Sequence, residues 1–132
     1  PKEQILCTGD AATNGPYNFT ADGNIANWPK VMDKAAQLKV KHVLPGHGEP
    51  GGPEILTGER AFMTELHKAV SAEIKKGKKL NDLVTMKNGQ PAATSLKLPD
   101  SVKHWVGPFH AAQVRDAFEE ITAGKPHGDL PH

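Results

Sequence analysis

"HVLPGHGEP", residues 42 to 50, decides how this chain is read. Two histidines, two prolines and two glycines follow directly on an apolar run. That composition admits three chemistries: a loop that cradles phosphate, a loop that binds metal, or a plain turn. Val40 to Leu44 reads as a strand. On the other side Pro53 suits a first helical turn, and Ile55, Phe62, Leu66, Val70 and Ile74 recur at helical intervals until Lys75, Lys76 and Gly77 end the run. The stretch therefore joins a strand to a long helix.

Working outward, residues 4–8 (QILCT) form a second short apolar run that stops at Gly9-Asp10, which places a carboxylate at the C-terminal end of a strand. Residues 11–24 (AATNGPYNFTADGN) have loop chemistry at a length that is often functional. From Trp28 to Lys39 the apolar positions Trp28, Val31, Met32, Ala35 and Leu38 make one helical face, and Lys30, Asp33, Lys34 and Gln37 the other. Pro29 disfavours helical geometry at Trp28, so Asn24 or Asn27 is expected to cap a preliminary turn. A strand, a helix and a strand in this order predict a parallel pair whose loops, at Asp10 and His47, open at one sheet edge.

Beyond the long helix, residues 80–86 read as a short helix, and residues 88–107 as irregular chain with Pro91 and Pro99 as breakers. Pro108 begins a last helix with Val114, Ala117, Phe118 and Ile121 inward and Gly124 at its end. KPHGDLPH, residues 125–132, reads as a frayed tail. Only two strands are expected. They leave strand edges open and the apolar faces of Trp28, Met32, Phe62 and Leu66 partly covered, which predicts self-association or a complementary N-terminal half.

With 132 residues and a formal charge of +1, the chain is one domain or part of one, and no nucleic-acid partner is expected. Lys75, Lys76, Lys78 and Lys79 read as a solvated helix end. The single Cys7 excludes an intramolecular disulfide and leaves the compartment, cytoplasmic or periplasmic, open. No apolar run approaches membrane-spanning length, so no membrane partner is expected. The start, PKEQ, lacks both an initiator Met and a signal-peptide core, which suggests a chain cut from something longer.

Gly46-His47-Gly48-Glu49-Pro50-Gly51 is a literal G-x-G-x-x-G. Pro50 and Pro53 remove two amide donors and delay the helix, and no second strand ending in an acidic residue follows at the required distance, so an anion- or nucleotide-binding module is the weaker reading. The metal reading uses the histidine: glycines on either side let an imidazole nitrogen approach a cation, and Asp10 lies at the neighbouring strand end to share it. Spacing alone favours the plainer reading, in which His47 merely caps a Pro-Gly turn and Asp10 accepts backbone N–H bonds.

The succession of Thr8-Gly9-Asp10, Asn14-Gly15, Gly23-Asn24, Trp28 at a helix start, Leu44-Pro45-Gly46-His47-Gly48 and Gly51-Gly52 resembles the C-terminal half of a metallo-β-lactamase-fold hydrolase. The resemblance covers roughly residues 4–76. It implies an α/β fold, the C-terminal half of an αββα sandwich over residues 1–76, with a helical extension at 77–124 and the tail at 125–132. It further implies that Asp10 bridges two metal ions, usually zinc, that His47 binds one of them, and that metal-activated water attacks a carbonyl or phosphoryl centre. Asn14 and Tyr17 would line the substrate cleft, and the substrate would be a small ester, thioester, lactam or phosphodiester.

The family's upstream H-x-H-x-D-H element has no counterpart here, so the isolated chain is expected to bind zinc weakly and to lack hydrolase activity. A non-catalytic, self-associating fragment is the alternative. The other histidines, His42, His67, His104, His110, His127 and His132, match none of the missing motif and are expected to be surface or packing residues.

Overall fold

A computed structural model describes residues 2–131, so His132 lies outside the described residues. The fold is mixed α/β. Strand β1 is Ile5–Gly9, helix α1 Trp28–Ala36, strand β2 His42–Pro45 and helix α2 Glu54–Lys75. The strands pair in parallel, with Ile5 opposite His42, Leu6 opposite Val43 and Cys7 opposite Leu44. Alternation along each strand sends Leu6 and Val43 to one face, where they pack with Ala12, Met32, Val40, Ile55 and Leu56. The other face presents Ile5, Cys7 and Leu44 to solvent. The outer edge of β2 is closed by an antiparallel bridge, in which Val43 N–H donates to Gly51 O at 2.8 Å and Gly51 N–H to Val43 O at 3.1 Å. Among the described residues no strand covers the outer edge of β1.

The start of α1 follows the expected capping. Asn24 accepts from Asn27 N–H through its side chain at 3.0 Å and from Trp28 N–H through its carbonyl at 3.0 Å, while the Asn27 side chain makes no cap bond. Helix α2 is the spine. It buries Ile55, Leu56, Glu59, Phe62, Met63, Leu66 and Val70, and so touches both the small core beneath the sheet and a larger one built with the C-terminal elements.

That C-terminal region departs from expectation. Helix α3 covers only Leu80–Leu83, and the chain then forms an antiparallel hairpin from β3, Val84–Lys87, and β4, Gln90–Thr94. Asn88 and Gly89 take positive φ, 52° and 74°, the geometry of a two-residue hairpin turn. Pro91 is accommodated because the register slips between Thr85 and Met86, an irregularity where a missing N–H is tolerated. A 3-10 helix, Asp100–Trp105, and α4, His110–Ala123, complete the larger core. Phe62 and Leu66 are buried because α4 and the hairpin close over α2, Met32 is buried beneath the sheet against Ile55 and Leu56, and Trp28 is half-buried between the two cores. The expectation that these four are only partly covered is corrected for Met32, Phe62 and Leu66, which the chain covers itself.

The expectation of a frayed tail is also corrected. A 3-10 turn, His127–Asp129, docks with His127 fully buried. Its Nδ1 meets the Ala21 carbonyl, its Nε2 lies 2.7 Å from Glu119 Oε2 and 3.5 Å from Asp116 Oδ1, and Gly128 N–H donates to Gly23 O at 3.1 Å. Among the described residues no helix is long and apolar enough to cross a membrane.

Candidate metal centre

Asp10 directly follows β1 and His47 lies two residues beyond β2, so parallel pairing delivers both to one end of the sheet. Asp10 Oδ1 and His47 Nδ1 are 3.1 Å apart, with side chains 72% and 58% exposed. The loops that carry them are stacked backbone on backbone. Gly46 N–H donates to Gly9 O at 2.8 Å and lies 3.2 Å from Ala12 O, and Asn14 N–H donates to His47 O at 2.9 Å. A Cβ on Gly46 would fall on the Asp10 carboxylate and the Gly9 carbonyl, and one on Gly48, whose φ is +90°, would fall on the Asn14 carbonyl. Glycine at these two positions is what allows the loops to meet.

The 10–18 loop is anchored from three directions. Trp28 Nε1 donates to Ala11 O at 2.8 Å, and Trp105 Nε1 donates to Thr13 O at 2.9 Å. From below, Glu59 accepts from Thr13 N–H at 3.2 Å. The Asn18 amide faces the same carboxylate and satisfies it with its NH2 turned inward, 2.7 Å from Glu59 Oε2. Burial pushes the Glu59 carboxyl up to about 8 against the lowering effect of the Thr13 and Trp105 hydrogen bonds. The anchored loop gives Asp10 a fixed base although its side chain stands in solvent.

Of the two residues expected to line a cleft, Tyr17 is exposed, with its ring centroid 6.1 Å from that of His47. Asn14 is a hub: Nδ2 donates to Glu49 O at 2.8 Å, and Oδ1 lies 2.8 Å from His104 Nε2. His104 is a site neighbour that sequence reasoning missed. Nothing in the spacing of an isolated histidine in a Pro-bounded segment signals a partner at Asn14, because the docking of the 3-10 helix brings them together.

A zinc ion bonds nitrogen and oxygen ligands at about 2.0–2.2 Å, which puts neighbouring tetrahedral ligand atoms roughly 3.3–3.5 Å apart. The 3.1 Å between Asp10 and His47 fits a shared ion after a slight opening. Two ligand atoms are fewer than the three a catalytic zinc takes from protein. Among the described residues only Asp116, Glu119 and His127 bring three such ligand atoms within 4.8 Å of one another. There Arg115 already donates to Asp116 Oδ1 at 2.7 and 2.9 Å and Thr20 Oγ1 to Oδ2 at 2.6 Å. Burial draws the His127 pKa down, but the Ala21 carbonyl, Glu119 and Asp116 outweigh it and hold His127 above the usual imidazole range. Two carboxylates against a guanidinium and an imidazolium make a balanced network that fastens the tail.

No protein-family model matches the chain, and no curated protein matches it.

Proposed function

We propose that Asp10 and His47 are two ligands of a divalent-metal, most simply zinc, hydrolase centre, and that residues 1–76 represent the C-terminal half of a metallo-β-lactamase-like sandwich. The observation that carries the reading is the placement of these two side chains, 3.1 Å apart at the ends of paired parallel strands, on loops locked together through Gly46 and Gly48. When bound, the ion supplies Lewis acidity that activates water and polarises a carbonyl or phosphoryl oxygen. The chain's own part is to hold a carboxylate and an imidazole at a spacing suited to one ion and to leave both open to solvent on the outward side. Tyr17 and Asn14 flank that opening, where a small ester, thioester, lactam or phosphodiester would lie.

A catalytic zinc normally takes three protein ligands, so a complementary polypeptide would supply the rest. The open edge of β1 and the exposed Ile5 and Leu44 support such a partner. The phosphate-cradle alternative is disfavoured by the loop's own bonding: the amides of Gly46, Gly51 and Gly52 donate to Gly9, Val43 and Glu54 respectively.

Titration with cobalt(II) or zinc tests the assignment. The chain alone should bind weakly, at one site, and Asp10→Ala or His47→Ala should abolish that binding while leaving the thermal midpoint within about 1–2 °C, as befits exposed side chains. Binding that survives both substitutions would sink it.

A further inference from the structure

We propose that His104 is a positioning residue for His47, acting through Asn14; the inference rests on Asp10 and His47 being the functional pair. The argument is one of hydrogen-bond direction. Glu49 O can only accept, so the Asn14 group 2.8 Å from it is the NH2, and the group facing His104 Nε2 at 2.8 Å is therefore the carbonyl Oδ1. An amide oxygen has no hydrogen to give. His104 Nε2 must then carry one, and the ring is the donor of this bond.

The imidazole is in turn fixed by its neighbour. Trp105 stands edge-on to it, ring centroids 4.9 Å apart at 88°, and its own Nε1 donates to Thr13 O at 2.9 Å. The indole reaches that place because α2 carries Gly58 where any Cβ would collide with it. A rigid wedge thus presents one N–H to Asn14. Asn14 passes the constraint on through its two N–H groups, the side chain to Glu49 O and the backbone to His47 O at 2.9 Å. The 47–49 turn itself is exposed, with no buried side chain to steady it. The Gly46 and Gly51 amides hold the two ends of the loop, Asn14 ties the turn between them, and His104 orients the Asn14 side chain. Partners bonded directly to a ligand typically contribute about 10- to 100-fold in metal affinity, and His104, two hydrogen bonds from His47 by way of Asn14, should fall at the lower end of that range.

Two variants and two readouts test this. His104→Ala removes the donor; His104→Gln restores an N–H near the same point. Amide exchange at Asn14 should accelerate on the order of tenfold in the alanine variant, the loss of about one net hydrogen bond, and return close to wild type in the glutamine variant. The imidazole 15N shifts of wild-type His104 should show a protonated Nε2. Cobalt(II) affinity should fall about tenfold with alanine and recover with glutamine. Unchanged exchange in His104→Ala, or a loss that glutamine does not rescue, would overturn the role of His104. If wild-type protein takes up no cobalt through Asp10 and His47, the metal reading fails, and the exchange data alone still decide whether His104 sets the turn.

Discussion

Glu59 is a carboxylate placed in the interior of α2 with no exposed surface, beneath the loop that carries Asp10 and Asn14. Its pKa rises from 4.5 to about 8, chiefly through burial, so between those values the folded state keeps a proton that the unfolded state has released. Stability attributable to this group is intact below about pH 4.5, falls as pH rises through the window, and levels off above about 8. At about 1.36 kcal/mol per unit, the fall is on the order of 4–5 kcal/mol. Glu59→Gln keeps a neutral side chain of the same shape, and Asn18 can reverse its amide to match it. Denaturant unfolding at pH 5, 7 and 9 should show the wild-type decline flattened in the variant, and a variant that tracks the wild-type slope would rule Glu59 out as its source. One position earlier, Gly58 tests the seat of Trp105. Glycine to alanine inside a helix ordinarily stabilises by roughly 0.5–1 kcal/mol. Here the added methyl would occupy the indole's place, so Gly58→Ala should instead destabilise, by about 1–3 kcal/mol of overpacking, and shift Trp105 fluorescence.

At the scale of elements, the hairpin shows how a local signal is outvoted. Asn88-Gly89 is the strongest short-range hairpin dipeptide, flanked by Thr85 and Met86 on one side and Ala92 to Thr94 on the other. Pro91, which argues against a regular strand, hides it, and only the slipped register reconciles the two. The tail is a different case. Its eight residues carry no periodicity, and its docking depends on His127 meeting Glu119 and Asp116 from α4 and the carbonyl of Ala21. His127→Ala should cost about 2–4 kcal/mol, because it leaves Asp116 and Glu119 short of a buried cation. It should also open the segment around residues 125–131 to limited proteolysis. A tail equally resistant in wild type and variant would show that His127 does not hold it.

For the molecule as a whole, the surface to explain is the sheet. Its inner face and both cores are closed by the chain's own helices, yet among the described residues β1 keeps an unpaired edge, and Ile5 and Leu44 on the outer face remain 41% and 40% exposed. Burying such side chains elsewhere is worth roughly 1.5–3 kcal/mol each when complete. Light scattering at high concentration should therefore reveal self-association that Leu44→Asp reverses, and a monodisperse wild-type monomer would show that the edge tolerates water. The sequence by itself determined the β1–α1–β2 order, the long amphipathic α2 and the strand-end positions of Asp10 and His47, because these follow from periodicity, chain breakers and the geometry of a crossover, all of which act over a few residues. Tertiary structure alone decided that Asn14 is a hub, that His104 and Trp105 stand beside the site, that Glu59 lies beneath it and that His127 anchors the tail. Each of those depends on partners dozens of residues apart, brought together by the closure of α4 and the 3-10 helix over α2, and no local pattern of polar residues encodes which distant group a side chain will meet.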